Sequence, residues 1–243
     1  LIHGFMSDLR VWSYYVFSYM REIRVITIDL LGHGQSEWFE NTPSTMELQA
    51  QAVKTVLDHL NIKECVMVGH SMGGYVSLAF AEAYPQYIKG LCLLHSHALA
   101  DSNNVKEKRE QTCNIINQNR ASFIINFIPN LFAPANHDKF YYEIKDLQDS
   151  ALESKADGLI LAQKGIATRT SKIELLKTIN SPVLFIIGKQ DSRIQLDMSI
   201  AQASFPKHSE LLILENVGHM GHIESRDIIK RRLLSFTYSC FAL

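Results

Sequence analysis

Three short segments of this chain carry residue types suited to acyl transfer. The first is Gly69-His-Ser-Met-Gly-Gly74. A serine with glycine two places before and two places after it suits a nucleophile displayed on a sharp, strained strand-to-helix turn. Gly69 and Gly73 remove the β-carbons that would crowd such a turn. Serine is a weak nucleophile until a base takes its proton, usually a histidine oriented by a carboxylate. Ten histidines compete for that role. His219, in Asn216-Val-Gly-His-Met-Gly-His-Ile-Glu224, follows the last strand candidate and is the preferred base. His222 is its rival, but a helix predicted to begin near Ser225 carries it away from the loop tip. Asp191, in Gly188-Lys-Gln-Asp-Ser-Arg193, follows the penultimate strand candidate and is the preferred acid. Asp101 is the alternative acid, and Asp197 reads as solvated. His219 and His222 lack further ligands at a recognisable spacing, so no metal site is expected. The chemistry needs no organic cofactor either.

These residues must be delivered to one place by the elements around them. Arg24–Asp29, Cys65–Gly69, Leu91–Leu94, Val183–Gly188 and Leu211–Leu214 are short apolar runs without polar alternation. Such runs suit strands covered on both faces, hence a parallel sheet. Leu1-Ile2 reads as the tail of one more strand. Between them lie helical patterns. Ser44-Thr-Met-Glu47 has the spacing of a capping box, and Met46, Ala50, Val53, Leu57 and Leu60 then recur on one face. A second helix is predicted from near Ser71 to before Pro85. The alternation predicts a doubly wound, mostly parallel α/β sheet, whose ligands sit at the C-terminal strand ends. Ser71, Asp191 and His219 all follow such ends, in the chain order this topology uses. From Asp101 to Ser171 the alternation breaks, and the pattern is helical. Residues 101–171 are therefore expected to be a helical cap inserted in a core of residues 1–100 and 172–243.

Composition narrows the partners. The 243 residues carry a formal net charge of −1, which gives no footprint for nucleic acid or an anionic membrane. A small molecule is the expected partner; nothing in the sequence bears on oligomeric state. No apolar run approaches the length of a membrane span. The 4 cysteines form no CxxC pair, which favours a reducing compartment, and a cytoplasmic location is the expectation.

Acyl transfer also needs two donors aimed at the developing oxyanion. One is expected to be the backbone N–H of Met72. The other should come from the loop after Leu1-Ile2, where His3-Gly4-Phe5 stands. With Asp29-Leu-Leu-Gly-His-Gly-Gln-Ser36, Gly69–Gly74, Gly188–Asp191 and Gly218-His219 followed by Glu224 five residues later, this set resembles the α/β-hydrolase superfamily. Within it, the chain resembles the compact bacterial capped serine hydrolases: the carboxylesterase, haloperoxidase-like and C–C-bond hydrolase branches. The resemblance implies Ser71 as nucleophile, Asp191 as acid, His219 as base and the Phe5 N–H as second oxyanion donor. It implies a lid at 101–171, and a structural role for His33. Family members normally begin with a hairpin and most of a third strand before the His-Gly motif, so a sheet short on one edge is expected. A serine nucleophile argues against the haloalkane dehalogenase and epoxide hydrolase branches, which resemble this fold but use aspartate. His70 leans toward esterases, since asparagine is usual there in C–C-bond hydrolases.

The expected activity is hydrolysis of a small or medium apolar carboxylic ester through an acyl-enzyme. The competing readings are thioester or C–C-bond cleavage by the same triad, or a non-catalytic ligand-binding member of the fold. Phe123, Phe127, Phe132 and His95 are expected to line the substrate pocket. For about half of the apolar cap residues, a place in the cap's own small core is the competing expectation.

Overall fold

The computed structural model describes residues 1–38 and 42–242. Four strands, β1 (Cys65–His70), β2 (Ile88–Leu94), β3 (Val183–Gly188) and β4 (Ser209–Leu214), pair side by side in that order, and every pair is parallel. The described helices are α1 (Ser13–Tyr19), α2 (Met46–His59), α3 (Met72–Ala83), α4 (Asn103–Phe127), α5 (Tyr141–Glu153), α6 (Ala156–Thr168), α7 (Ile173–Thr178), α8 (Leu196–Ala203), α9 (Gly221–Glu224) and α10 (Arg226–Ala242).

The continuous apolar strands are split between two cores by their period of two. Met67, Leu91, Leu93, Val183, Phe185 and Ile187 pack on one side with Met46, Val53 and Leu57 of α2 and Val76, Leu78 and Phe80 of α3. Val68, Cys92, Leu94, Leu184 and Ile186 pack on the other with Tyr15 of α1 and Ile229, Leu233 and Phe236 of α10. This is the doubly wound arrangement, a parallel sheet flanked by helices. Each fully buried large side chain of these layers contributes about 1.5–3 kcal/mol.

Two local expectations change. Residues 24–29 do not form a ladder. Ile2 makes single parallel bridges to Ile28 and to Gly69, and the Leu1 ammonium donates to the Ile26 carbonyl at 2.8 Å. Ile2 lies between this segment and β1 and meets each at one residue. An apolar groove of about 360 Å³ lies there, lined by Ile26, Ile28, Met67 and Val68 among others. At α2 the cap moves by one residue. Thr45 is the N-cap and accepts from the Leu48 N–H at 3.1 Å, while the Ser44 hydroxyl donates to the Leu161 carbonyl of α6.

Between β2 and β3 the chain is helical, in α4, α5 and α6, with α7 leading back to the sheet. α4 is interrupted at Asn119 (φ −154°, ψ 78°), whose side-chain oxygen accepts from the Ser122 N–H at 3.0 Å. Asparagine there acts as an N-cap and starts a second helical run. Ile116, Ile124, Ile128, Phe132, Phe140 and Ile144 form a third apolar cluster, joined by Met6, Met220 and Ile223 from outside the segment. Among the described residues, no helix is long and apolar enough to cross a membrane.

Candidate active site

Ser71 connects β1 to α3 with φ 51° and ψ −115°, a conformation that side chains disfavour. Its neighbours explain how the turn closes. A β-carbon at Gly69 would collide with the Gly73 carbonyl oxygen, and one at Gly73 would lie 2.6 Å from the His3 carbonyl oxygen. The turn is held by bonds from Ser71 N–H to the Leu94 carbonyl (3.0 Å) and from the Ser96 hydroxyl to the Ser71 carbonyl (2.8 Å). Ser71 thus stands at the C-terminal sheet edge, with the N-terminus of α3 directly behind it.

Asp191 and His219 meet at the same edge. The His219 Nδ1 lies 3.0 and 2.9 Å from the two carboxylate oxygens of Asp191. Oδ1 of Asp191 also accepts from the backbone N–H groups of Arg193 (2.8 Å) and Ile194 (3.0 Å). Oδ2 is bound by a second imidazole, His95 Nδ1, at 2.9 Å. Burial by itself would raise the Asp191 carboxyl; the two imidazoles outweigh it and hold the group well below the ordinary carboxylate range. An ionised carboxylate only accepts, so both Nδ1 atoms carry the hydrogen. His95, Asp191 and His219 also place three metal-type ligand atoms within 4.8 Å of one another. Hydrogen bonds account for that closeness, and an ion would have to displace both Nδ1 protons.

Ser71 and His219 line one cavity of about 650 Å³, together with Phe5. No hydrogen bond joins the Ser71 hydroxyl to His219 among the described residues; such contacts commonly tighten only with substrate in place. Phe5 opens a turn closed by Ser7 N–H on the Gly4 carbonyl (3.3 Å), with Met6 at φ 61°. His3 anchors this loop by donating from Nδ1 to the Gly4 carbonyl (2.8 Å) and accepting at Nε2 from Leu30 N–H (3.0 Å). Neither the Phe5 nor the Met72 N–H has a protein acceptor among the described residues, so both are free to donate.

The remaining sequence candidates separate by position. Phe127 lines the cavity. Phe123 does not, but its ring stacks on Phe127 with centroids 5.1 Å apart. Phe132 is turned into the third cluster against Phe140, since its apolar ring is better covered there than at the cavity wall. His95 is fully buried against Asp191 and lines no part of the cavity. His97 does line it, with Nε2 at 3.2 Å from the Tyr75 hydroxyl. His222 is buried between Trp12 and His70, with ring centroids at 5.0 and 4.3 Å. Asp101 lies at the cavity but is engaged by Arg109 and Arg169. His70 donates from Nε2 to the His219 carbonyl at 2.9 Å, and burial pushes it well below its ordinary range. His33 packs beside His3 at 5.2 Å.

One residue of the matching set had no role assigned from sequence. Glu224 accepts from Gly218 N–H (2.9 Å), Ala133 N–H (2.9 Å) and Asn136 Nδ2 (2.7 Å). It ties the His219 loop to the 131–136 segment, and His219 N–H adds a bond to the Leu131 carbonyl at 2.6 Å. A buried acid just after a glycine-rich histidine loop was the available signal.

Comparison with known proteins agrees with this architecture. A family profile described as the alpha/beta hydrolase fold matches residues 1–225, and the chain belongs to that family. It is 29% identical over 238 residues to the dihydrolipoyllysine-residue acetyltransferase component of an acetoin cleaving system from Pseudomonas putida; the match covers 97% of this chain and spans 62% of that protein's length. It is 25% identical over 224 residues to a 2-hydroxy-6-oxononadienedioate/2-hydroxy-6-oxononatrienedioate hydrolase of Escherichia coli strain K12 / DH10B, covering 88% of this chain and 76% of that one. Among solved structures, a thermophilic esterase from Thermogutta terrifontis (malate bound) superposes with a TM-score of 0.93 at 27% identity, covering 98% of this chain and 88% of the other. An enol-lactonase from Burkholderia xenovorans LB400, at 21% identity and a TM-score of 0.87 over 97% and 88% of the two chains, shares the fold.

Proposed function

We propose that this chain is a serine hydrolase that cleaves carboxylic esters through an acyl-enzyme. Ser71 is the nucleophile, His219 the base and Asp191 the acid, with the Phe5 and Met72 N–H groups receiving the oxyanion. The observation that carries the reading is that strained Ser71 and His219 line one cavity, while Asp191 binds the far nitrogen of that imidazole at 2.9 Å. His219 Nε2 takes the Ser71 proton as the oxygen attacks the carbonyl carbon. The tetrahedral oxyanion collapses, and the alcohol leaves with that proton. Water then gives a proton to His219 and attacks the acyl carbon; the second tetrahedral intermediate expels the Ser71 oxygen, which takes that proton back from His219, and the acid is released. The likeness to the Thermogutta terrifontis esterase supports ester hydrolysis. No metal or organic cofactor takes part in these steps.

Residues 101–171 serve in this reading as a lid that selects the substrate. The cavity mixes Phe127, Leu131, Ile166 and Met220 with Lys108, Arg109 and Arg193, against a single carboxylate, Asp101. A compact ester bearing a carboxylate suits this lining better than the purely apolar ester expected from sequence. A fluorophosphonate probe tests the assignment. Labelling of the wild type at Ser71, and none of Ser71→Ala, is the expected result. A folded wild-type protein that takes no label refutes it. Labelling combined with background rates across a p-nitrophenyl ester series would turn the reading to another bond type.

A further inference from the structure

We propose that His95 is a positioning residue for Asp191: a second imidazole that holds this carboxylate in place and shares its charge with His219. The inference rests on the triad reading above. Asp191 and His95 are brought together from positions 96 residues apart, and no local pattern links them. The two carboxylate oxygens are held differently. Oδ1 accepts from two backbone N–H groups, of Arg193 and Ile194. Among the described residues, Oδ2 has one holder besides His219, and it is His95 at 2.9 Å. Without His95, that side of the carboxylate is fixed only by the imidazole it is meant to orient.

The surroundings of His95 are built for this contact. It terminates β2 at φ 48°, in the left-handed region, with its N–H on the Ile186 carbonyl at 2.8 Å. Its side chain is fully buried, and its Nε2 has no hydrogen-bond partner among the described residues. A β-carbon at Gly221 would collide with that Nε2, so the glycine makes room for the ring. An apolar side chain would fill the same volume without leaving a buried nitrogen unsatisfied. Since an ionised carboxylate only accepts, His95 carries a hydrogen on Nδ1 and donates it to Oδ2. His219 differs because it lines the cavity, where a proton can be exchanged with Ser71. One carboxylate therefore serves two imidazoles, and only one of them handles the reaction's proton.

The expected signature is a change in His219 basicity. Removing the His95 donor returns carboxylate charge to His219 and stabilises its protonated form. The groups facing His219 are His70 from β1, His95 from the end of β2, Asp191 from the loop after β3 and His222 from α9; Arg193 lines the same cavity and interacts with Asp191. Only His95 is altered. His95→Ala removes the donor. His95→Asn keeps an N–H₂ near the Nδ1 position and tolerates the left-handed backbone. In His95→Ala, kcat is expected to fall about ten-fold or more at nearly unchanged KM, as misplacement of a catalytic group does. The acid limb of kcat/KM should move to higher pH. In His95→Asn both should return toward wild type. A folded His95→Ala with unchanged kcat and acid limb overturns the proposal, as does equal loss in both folded variants. Ser71→Ala and Asp191→Asn run in parallel: if they keep activity, the triad reading has failed instead. Long-range ¹H–¹⁵N NMR of the wild type needs no variant. The Nδ1–H tautomer at both His95 and His219 is expected, and Nε2–H at His95 overturns the proposal.

Discussion

Replacing Glu224 by alanine removes the buried carboxylate that ties the His219 loop to the 131–136 segment. Its two oxygens satisfy the backbone N–H groups of Gly218 and Ala133, both at 2.9 Å, and the Asn136 amide at 2.7 Å. Both backbone groups lie where the alanine methyl offers no acceptor. An orphaned buried N–H costs about 1–3 kcal/mol. At about 1–2 kcal/mol each, the two together cost roughly 2–4 kcal/mol, or about 4–16 °C in Tm for a chain of this size. Glu224→Gln retains one acceptor oxygen but turns an N–H₂ toward a backbone N–H, so it should lie between alanine and wild type. Thermal denaturation followed by circular dichroism, with kcat on a p-nitrophenyl ester, reads both effects. Both variants should lose kcat well below their melting temperatures, since His219 lies in the loop that is released. Unchanged Tm and kcat in Glu224→Ala would refute the reasoning.

Further expectations rest on other contacts. Gly73→Ala places a methyl group 2.6 Å from the His3 carbonyl oxygen, so the turn must shift; a loss of about 1–3 kcal/mol with collapse of probe labelling is expected, and normal labelling at wild-type Tm would contradict it. Burial holds His3 down to about 4 and His33 to about 3, below the 6.5 they have when unfolded. The unfolded chain therefore takes up more protons below pH 6.5, and the stability present above that pH is lost as pH falls toward 3–4. These two groups contribute about 1.4 kcal/mol each per pH unit, roughly 6–11 °C in Tm per unit, and a flat Tm between pH 6.5 and 4.5 would contradict this. Arg193 stacks on Phe127 at 4.3 Å and has no carboxylate partner among the described residues. Arg193→Gln is expected to raise KM about ten-fold for a dicarboxylic acid monoester while leaving a neutral ester of equal size unchanged, one charge-assisted contact being worth at least that. Equal effects on both esters would refute a charge-reading role.

Much of the scaffold was legible because its signals are local. The runs at 65–69, 91–94 and 183–188 are apolar at every step, which only a strand covered on both faces requires, and parallel pairing follows. The segment at 24–29, with Arg24, Thr27 and Asp29 among its apolar residues, was read the same way and forms a single bridge, Ile28 to Ile2, among the described residues. Asn119 shows the reverse case. Its side chain divides α4 through a bond three residues away, yet nothing in the helical pattern marked the break.

The site divides along the same line. The sequence by itself determined which segments end at the C-terminal sheet edge, because a parallel sheet delivers every strand's C-terminal loop there. Ser71, Asp191 and His219 were readable on that ground, since each follows an apolar run. Tertiary structure alone decided how the buried polar groups share partners. It put His95 on Asp191, although sequence left it facing a pocket. It packed His222 against Trp12, three residues from His219, which lines the cavity. It gave Glu224 the backbone of two distant loops and turned Phe132 inward while Phe127 reached the cavity. The physical reason is common to all of these. Periodicity and turn chemistry act over a few residues, whereas a buried polar atom must find its partner wherever the packed chain supplies one, here 96 positions away.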